Sequence, residues 1–561
     1  MFRVFKIILF NIIGGIELLS KSLRNILLLM MGLFLLIGLS ACSDDTDEED
    51  ANSVEAQETE ESDEEESEEE TDEDSEEETE ESDESSAIIN NIELSVTEGE
   101  IGDEIDFSVD QLEPETDVEL IWLTHEGSWD IENQYKLIGA NFTEKEVIIA
   151  EGTSDENGEW EGSFEVPQGF GDNRTIYVAE EGTKVGQVGF KVHPTFTISP
   201  ESGPVGTEIT VTVEGLGSSA FSRNWQLTYD NMFVGLVSAV TTEGKAEAKL
   251  RATGHEGEHV LSLRTGYRGS PYINYLQSPY PDKPEPNLLF TVTDEEPISE
   301  NYVEDTPEIT DGGVEMPELT NESGVEVELD IEEGQVGDPV SLTASGLPED
   351  EEIELVWNTM VGNRVSGLGF EETSSTLDTA STDEDGNLTY DFEVPNDLGG
   401  IPHRIDLKVG DDVYGQTYLR ILPSIVSMTP ESGPPGTRIE IVINGGGWTE
   451  FDNAYYLTYD NAYSGYMCSF NSQGELVFET IATGEVGTHL IDLYPGLYLH
   501  EEEGVDMTLI PQLTYEKDHP GSAMPAIRMA FEITDEQFDE EGLYRDGMPE
   551  ESEEDEENEE E

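Results

Sequence analysis

The feature that most narrows what this chain can fold into is an internal duplication. Ser199-Pro200-Glu201-Ser202-Gly203-Pro204 recurs as Thr429-Pro430-Glu431-Ser432-Gly433-Pro434, an offset of 230 residues from Pro200 to Pro430. At the same offset Leu227-Thr228-Tyr229-Asp230-Asn231 recurs as Leu457-Thr458-Tyr459-Asp460-Asn461, and His259 as His489. Upstream, Gly99, Gly102 and Trp122 match Gly334, Gly337 and Trp357 at an offset of 235. A repeat of this size marks a modular array rather than one catalytic body.

Within each copy the pattern is that of strands. Ile209, Val211 and Val213 alternate with Glu208, Thr210 and Thr212, and Ile439, Ile441 and Ile443 do the same. That period of two predicts one face in a core and one in water. No helical period of useful length appears, and Gly, Pro, Asn and Asp punctuate the runs. Each copy therefore divides into two all-β domains.

The stretch Pro-x-Ser-Gly-Pro-x-Gly-Thr followed by an alternating strand and a Gly-rich bend at Gly215–Gly217 or Gly445–Gly447 resembles the IPT/TIG family of immunoglobulin-like domains. The resemblance implies a β-sandwich of about 100 residues and leaves the ligand open. Gly203 and Gly206 are expected to supply turn dihedrals. The other domain of each copy is similar to a further immunoglobulin-like type, with Trp122 or Trp357 on a core strand and a hairpin turn around Asn157-Gly158 or Asp385-Gly386. The expected fold is all-β: four tandem immunoglobulin-like sandwiches at 88–194, 195–293, 322–424 and 425–534, with a disordered acidic linker and tail.

Between the second and third domains, 294–321 is acidic and Pro-containing, and it is expected to be disordered like the Asp/Glu/Ser/Thr stretch 43–86 and the tail 535–561. At the N-terminus, Lys21 and Arg24 precede an apolar run from Ile26 to Leu39, the anatomy of an export signal over 1–41. Leu39-Ser40-Ala41-Cys42 then resembles the lipobox of bacterial lipoproteins, which implies diacylglycerol on the Cys42 thiol and a membrane partner held through that lipid. The alternatives are an ordinary signal peptide with a chance Cys and an uncleaved anchor. With Cys468 the only other cysteine, the domains must hold by packing rather than by a disulfide framework.

Composition excludes one class of partner. With 129 Asp and Glu against 24 Lys and Arg, the formal charge is −105, so nucleic acid meets strong repulsion. No nucleophile elbow, phosphate loop, His-Glu-x-x-His or paired Cys-x-x-Cys occurs, and the chain reads as a non-enzyme. Asp155, Asp383 and Asp385 cluster with Asn and Gly, which suits either calcium, the one cofactor considered, or a tight turn. His259 and His489 suit a structural hydrogen bond better than a metal. Tyr455, Tyr456, Tyr459, Tyr463 and Tyr466, with Tyr267, Tyr272, Tyr275 and Tyr280, suit either a ligand surface for a glycan or protein or the filling of a sandwich. The leading functional reading is a surface binding or adhesion module; the rivals are a passive, cation-interacting spacer and an accessory to an extracellular hydrolase.

Overall fold

The computed structural model describes residues 91–536, apart from 135, 220–221, 268–269, 278–282, 308–312, 364–368, 450, 453, 470–472, 500–507 and 522–523. The leader, Leu39, Ser40, Ala41, Cys42, the acidic stretch 43–86 and the tail beyond 536 lie outside the described residues. Among the described residues every regular element is a β-strand except one 3-10 turn at Tyr275–Gln277.

The strands form four sandwiches of one repeated plan. Sandwich 1 contains β1 (Ile92–Leu94), β2 (Glu98–Gly99), β3 (Glu104–Val109), β4 (Asp117–Glu132), β5 (Lys136–Thr153), β6 (Trp160–Glu165), β7 (Asp172–Glu180) and β8 (Thr183–Val192). Its sheets run β1-β3-β6 and β2-β8-β7-β4-β5. Sandwich 2 contains β9 (Thr195–Ser199), β10 (Ser202–Gly203), β11 (Glu208–Glu214), β12 (Asn224–Tyr229), β13 (Met232–Ser238), β14 (Ala246–Arg251), β15 (Gly257–Tyr267), β16 (Ser270–Pro271) and β17 (Asn287–Val292). The connecting segment carries β18 (Tyr302–Val303). Sandwich 3 contains β19 (Glu326–Leu329), β20 (Glu333–Gln335), β21 (Pro339–Ser345), β22 (Glu352–Asn363), β23 (Gly369–Ser381), β24 (Leu388–Glu393), β25 (His403–Val409) and β26 (Asp412–Leu422). Sandwich 4 contains β27 (Ser424–Thr429), β28 (Ser432–Gly433), β29 (Arg438–Asn444), β30 (Ala454–Tyr459), β31 (Ala462–Cys468), β32 (Leu476–Ile481), β33 (Gly487–Leu499), β34 (Thr508–Pro511) and β35 (Ile527–Ile533). In each, a short second strand pairs in parallel with the last one, as β2 with β8 and β28 with β35, tying the first segment to both sheets.

The alternation seen in the sequence places the core. Ile209, Val211 and Val213, and Ile439, Ile441 and Ile443, are fully buried, and so are Trp122 and Trp357 at 1% and 2% exposure. Gly206 takes the left-handed φ of 87° that its turn requires. Gly203 does not: it belongs to β10 and is needed for space, because a Cβ there would stand 2.4 Å from Thr207 Oγ1.

Two sequence expectations are corrected. The Asn157-Gly158 and Asp385-Gly386 turns are not hairpins of paired strands; each carries the chain from one sheet to the other, from β5 to β6 and from β23 to β24. The connecting stretch 294–321 is also structured where it is described. β18 pairs with β35, the Ile298 N–H donates to Val205 O at 2.8 Å, and the Tyr418 hydroxyl donates to Pro317 O at 2.9 Å. Its average composition hides Val303, Val314 and Met316, which pack on hydrophobic clusters of the neighbouring sandwiches.

The sandwiches also pack on one another. Tyr494, Leu513, Tyr515 and Ala526 of sandwich 4 belong to the same buried cluster as Trp225, Ala248 and Leu250 of sandwich 2. The segment after β34 crosses the open side of sandwich 2: Leu513 N–H donates to Leu236 O at 2.8 Å, and Lys249 N–H donates to Leu513 O at 3.1 Å. Residues equivalent in the repeat meet one another, with Phe233 edge-on to Tyr463 at 6.3 Å and His255 opposite Glu485 at 3.8 Å. The long β4–β5 hairpin of sandwich 1 joins this seam through Trp129 and Leu137, which pack with Leu236, Val240, Phe451 and Leu497. Buried Asp518 knits the three parts, accepting from Trp129 Nε1 at 3.2 Å, Ser238 Oγ at 2.6 Å and Val240 N–H at 2.9 Å.

Candidate functional site

On β30 the side chains alternate, so Tyr455 and Tyr459 point into the sandwich, at 1% and 9% exposure, and leave the candidate ligand surface. The Tyr455 hydroxyl donates to Pro525 O at 3.0 Å, and the Tyr459 hydroxyl to Thr483 O at 2.9 Å. Tyr456 faces the other way but is also buried, because sandwich 2 covers that sheet face; Tyr466 stacks against it and Tyr463 packs on it at a tilt. Tyr466 at 40% and Tyr272 at 39% are the exposed members. Tyr275 lies in the 3-10 turn, and its side chain, like that of Tyr267 and all of Tyr280, lies outside the described residues.

His259 and His489 perform the same structural task in each copy. Nδ1 faces Asp230 or Asp460 at 2.5 Å, Nε2 faces the carbonyl of His255 or Glu485, and the ring stacks on Tyr229 or Tyr459. For His489 burial, the largest influence, pushes the imidazole down, but the bond and charge of Asp460 and the Glu485 carbonyl more than offset it, and the net shift is upward.

The Asp155 and Asp383 carboxylates clasp their own turns. Asp155 Oδ1 accepts from Asn157 N–H at 2.8 Å and Glu159 N–H at 2.9 Å; Asp383 Oδ1 accepts from Asp385 N–H at 3.0 Å and Asn387 N–H at 2.8 Å. These backbone donors, Glu159 first for Asp155 and Asn387 first for Asp383, hold both carboxyls below the usual range. Their contribution to stability is therefore present above the ordinary carboxyl pKa and lost as pH falls through the lowered one. Asp385 stands exposed beside its turn, and among the described residues no group of three or more His, Cys, Asp or Glu is placed to hold a metal. At matched ionic strength calcium is expected to raise the melting temperature no more than sodium does. A calcium-specific rise that Asp383→Asn with Asp385→Asn abolishes would restore the cation reading.

The concavity suited to a ligand lies elsewhere, in a cleft of about 470 Å³, within the usual range for ligand sites. Four parts of the chain build it: the β4–β5 tip (Asn133, Gln134), the connecting segment (Met316, Pro317), β22, β23 and β25 of sandwich 3, and Trp448 of sandwich 4. The long hairpins β4–β5 and β22–β23 occupy equivalent places in the two copies, and both contribute to this cleft. Buried His403 anchors one wall. Its ring stacks on Trp357 at 4.5 Å, with Nδ1 3.0 Å from Asn358 O and Nε2 2.5 Å from Leu398 O. Beside it Arg404 donates through Nε to Asp406 Oδ1 at 2.8 Å and approaches Glu372 at 3.4 Å. Asp406 also accepts from Gln416 and Asn358; burial pushes its carboxyl up, and these partners pull it down further, for a net lowering.

Under the 398–404 loop lies Asp452, fully buried, with Oδ1 accepting from Thr449 N–H at 2.5 Å and Thr449 Oγ1 at 2.7 Å. Gly400 is required above it, since a Cβ would come within 2.0 Å of Oδ2. Burial pushes the Asp452 carboxyl up to about 6, against the Thr449 bonds. A raised folded pKa means that the stabilisation is full below the unfolded carboxyl value and is lost as pH rises through about 6. Relative to Asp452→Asn, the wild type is expected to lose up to roughly 3 kcal/mol between pH 4 and 7. Parallel denaturant midpoints of the two across that window would sink the assignment.

Sequence reasoning missed Trp448, His403, Arg404 and Glu372. The available signal was divergence between the copies: Trp448 stands where the first copy has Ser218.

No family model matches this chain, and no curated protein matches it. Among solved structures it is similar to Salmonella alpha-2-macroglobulin reacted with methylamine, at 12% identity over 78% of this chain, with a TM-score of 0.16. It is also similar to a tetra-tandem repeat in the extending region of a large adhesion protein, at 10% identity over 79% of this chain and 99% of that one, with a TM-score of 0.17. A membrane anchored protein from Corynebacterium diphtheriae matches at 12% identity over 59% of this chain and 89% of its own, with a TM-score of 0.16. The chain spans 30% of the length of the Salmonella macroglobulin.

Proposed function

We propose that this protein is an extracytoplasmic, lipid-anchored binding or adhesion module without catalytic activity, whose ligand is held in the cleft between the two repeats. One observation carries the reading. In a chain with 129 acidic residues among 561, Glu372 is the one carboxylate among the 14 described residues that line the cleft. A surface built to be acid-rich has kept one concavity nearly free of acid and set a Trp, an Arg and a His around it. A passive spacer has no use for that exception. Loops and hairpin tips held by a rigid scaffold are where binding residues concentrate, and here two repeats and their connection are locked together around the opening.

The tether is the Cys42 lipid, supported by the position of Leu39-Ser40-Ala41-Cys42 at the end of the apolar run. Cys42→Ser is expected to abolish labelling by a fatty-acid analogue and to release the protein from the membrane fraction; equal labelling of both forms would remove the anchor. The binding role is tested by surface capture of ligand with wild type and with Glu372→Ala plus Gln134→Ala. Capture unchanged by these substitutions would place any binding away from the cleft.

A further inference from the structure

We infer that the cleft takes an uncharged glycan, a short run of sugar rings, an assignment that rests on the reading of the cleft as the binding site.

Charge selects first. Arg404, the one Arg or Lys among the described lining residues, is already matched by Asp406 below it and faces Glu372 at the rim, so its positive charge is not left over for a ligand. Both ring nitrogens of His403 face carbonyl oxygens and have none to spare. An anionic ligand finds no unmatched counter-charge and must approach through the field of a chain of formal charge −105. A cationic ligand is drawn with equal or greater force to the acidic surface elsewhere, so the cleft gives it no specific seat. A neutral ligand is what remains.

The polar groups at the opening then select hydroxyls. The Gln134 and Asn133 amides, the Glu372 carboxylate and the remaining Nη1 of Arg404 are planar groups with paired donors or acceptors on one edge. Such pairs match two hydroxyls on neighbouring ring carbons, which donate and accept side by side. The floor is apolar and adaptable: Met316, Met360 and Trp448 cluster with Leu398 and Ile401, a surface that suits the C–H face of a sugar ring. An extended peptide is the competing class, because β22 pairs with β23 along its whole length but with β25 only over Glu354–Trp357, which leaves its second edge beyond Trp357 without a strand partner among the described residues. The side-chain groups at the opening favour the sugar, and the peptide arm of the test separates the two.

The test uses the mature chain carrying Cys42→Ser, titrated calorimetrically with neutral hexasaccharides (cello-, malto-, xylo- and chito-), with oligogalacturonate and with a mixed peptide library. Binding of at least one neutral oligosaccharide is expected, weakened about tenfold by Gln134→Ala and by Glu372→Ala, the effect of losing one or two net hydrogen bonds. Both residues lie at the rim, and equal melting temperatures show that the fold is kept. Binding of none of the neutral sugars overturns the glycan assignment. Binding of oligogalacturonate or peptide alone, weakened by the same two substitutions, overturns it too while leaving the cleft as a binding site. Sugar binding that neither substitution changes overturns both readings.

Discussion

Asp492→Leu is expected to destabilise the body formed by sandwiches 2 and 4 by about 3–5 kcal/mol, the usual cost of stripping one partner from a buried ionic cluster. Asp492 sits between two guanidinium groups, 2.5 Å from Arg251 Nη2 and 3.6 Å from Arg528 Nη1, and all three side chains are at most 2% exposed. Arg528 further donates to Glu304 Oε1 at 2.7 Å and to the Tyr515 hydroxyl at 3.1 Å, and lies over the Tyr494 ring at 4.6 Å. Without Asp492 the desolvated Arg251 guanidinium keeps only the Met529 carbonyl as a polar partner among the described residues, while Arg528 keeps the Glu304 carboxylate. Chemical denaturation of the whole chain measures the loss. The combined change Arg251→Met, Asp492→Leu, Arg528→Met and Glu304→Gln should recover most of it, because the same volume is then filled without charge. A single-mutant loss under about 1 kcal/mol would mean that water reaches the cluster.

Trp357→Ala should cost a similar amount, about 3–5 kcal/mol, by leaving a cavity in sandwich 3. It should also do something that Trp122→Ala does not. The Trp357 ring supports His403, and its Nε1 donates to buried Asp397 Oδ2 at 2.8 Å, so its loss undermines the 397–404 loop that walls the cleft. Trp122 packs among Phe164 and Phe190 in the core of sandwich 1, remote in its contacts from the cleft lining. Equal stability losses with ligand capture impaired only in Trp357→Ala is the expected pair of results, read by calorimetry and by the same capture assay. Capture impaired equally in both would show that the cleft senses the stability of the whole body rather than its own wall.

How far the site was legible depended on which residues carried it. Trp122 and Trp357 could be placed in cores from strand context alone, and Gly206 from its turn, because those roles are set by neighbours a few positions away. The tyrosines of β30 could not be sorted. In an ordinary sandwich strand one face is wet, but here all six residues of β30 are buried, the outer face being covered by sandwich 2. Nor could the 294–321 segment be read from composition, since its acidic character is an average over Glu304, which enters a buried ion cluster, and residues that face solvent.

The sequence by itself determined the strand periodicity, the duplicated plan, the turn glycines and the acid-rich surface, all of which follow from local sterics and from the excess of carboxylates. Only the tertiary structure decided what the copies do to one another. Arg251 and its counterpart Ile481 differ plainly in the sequence, yet that Arg251 lies buried against Asp492 while Ile481 lies 38% exposed follows from sandwich 4 docking on the open side of sandwich 2, with no reciprocal partner for its own among the described residues. The cleft has the same origin. Its lining comes from positions 133 to 448, and such residues acquire a shared role only when long-range burial of apolar surface brings their elements together, a term that no local pattern contains.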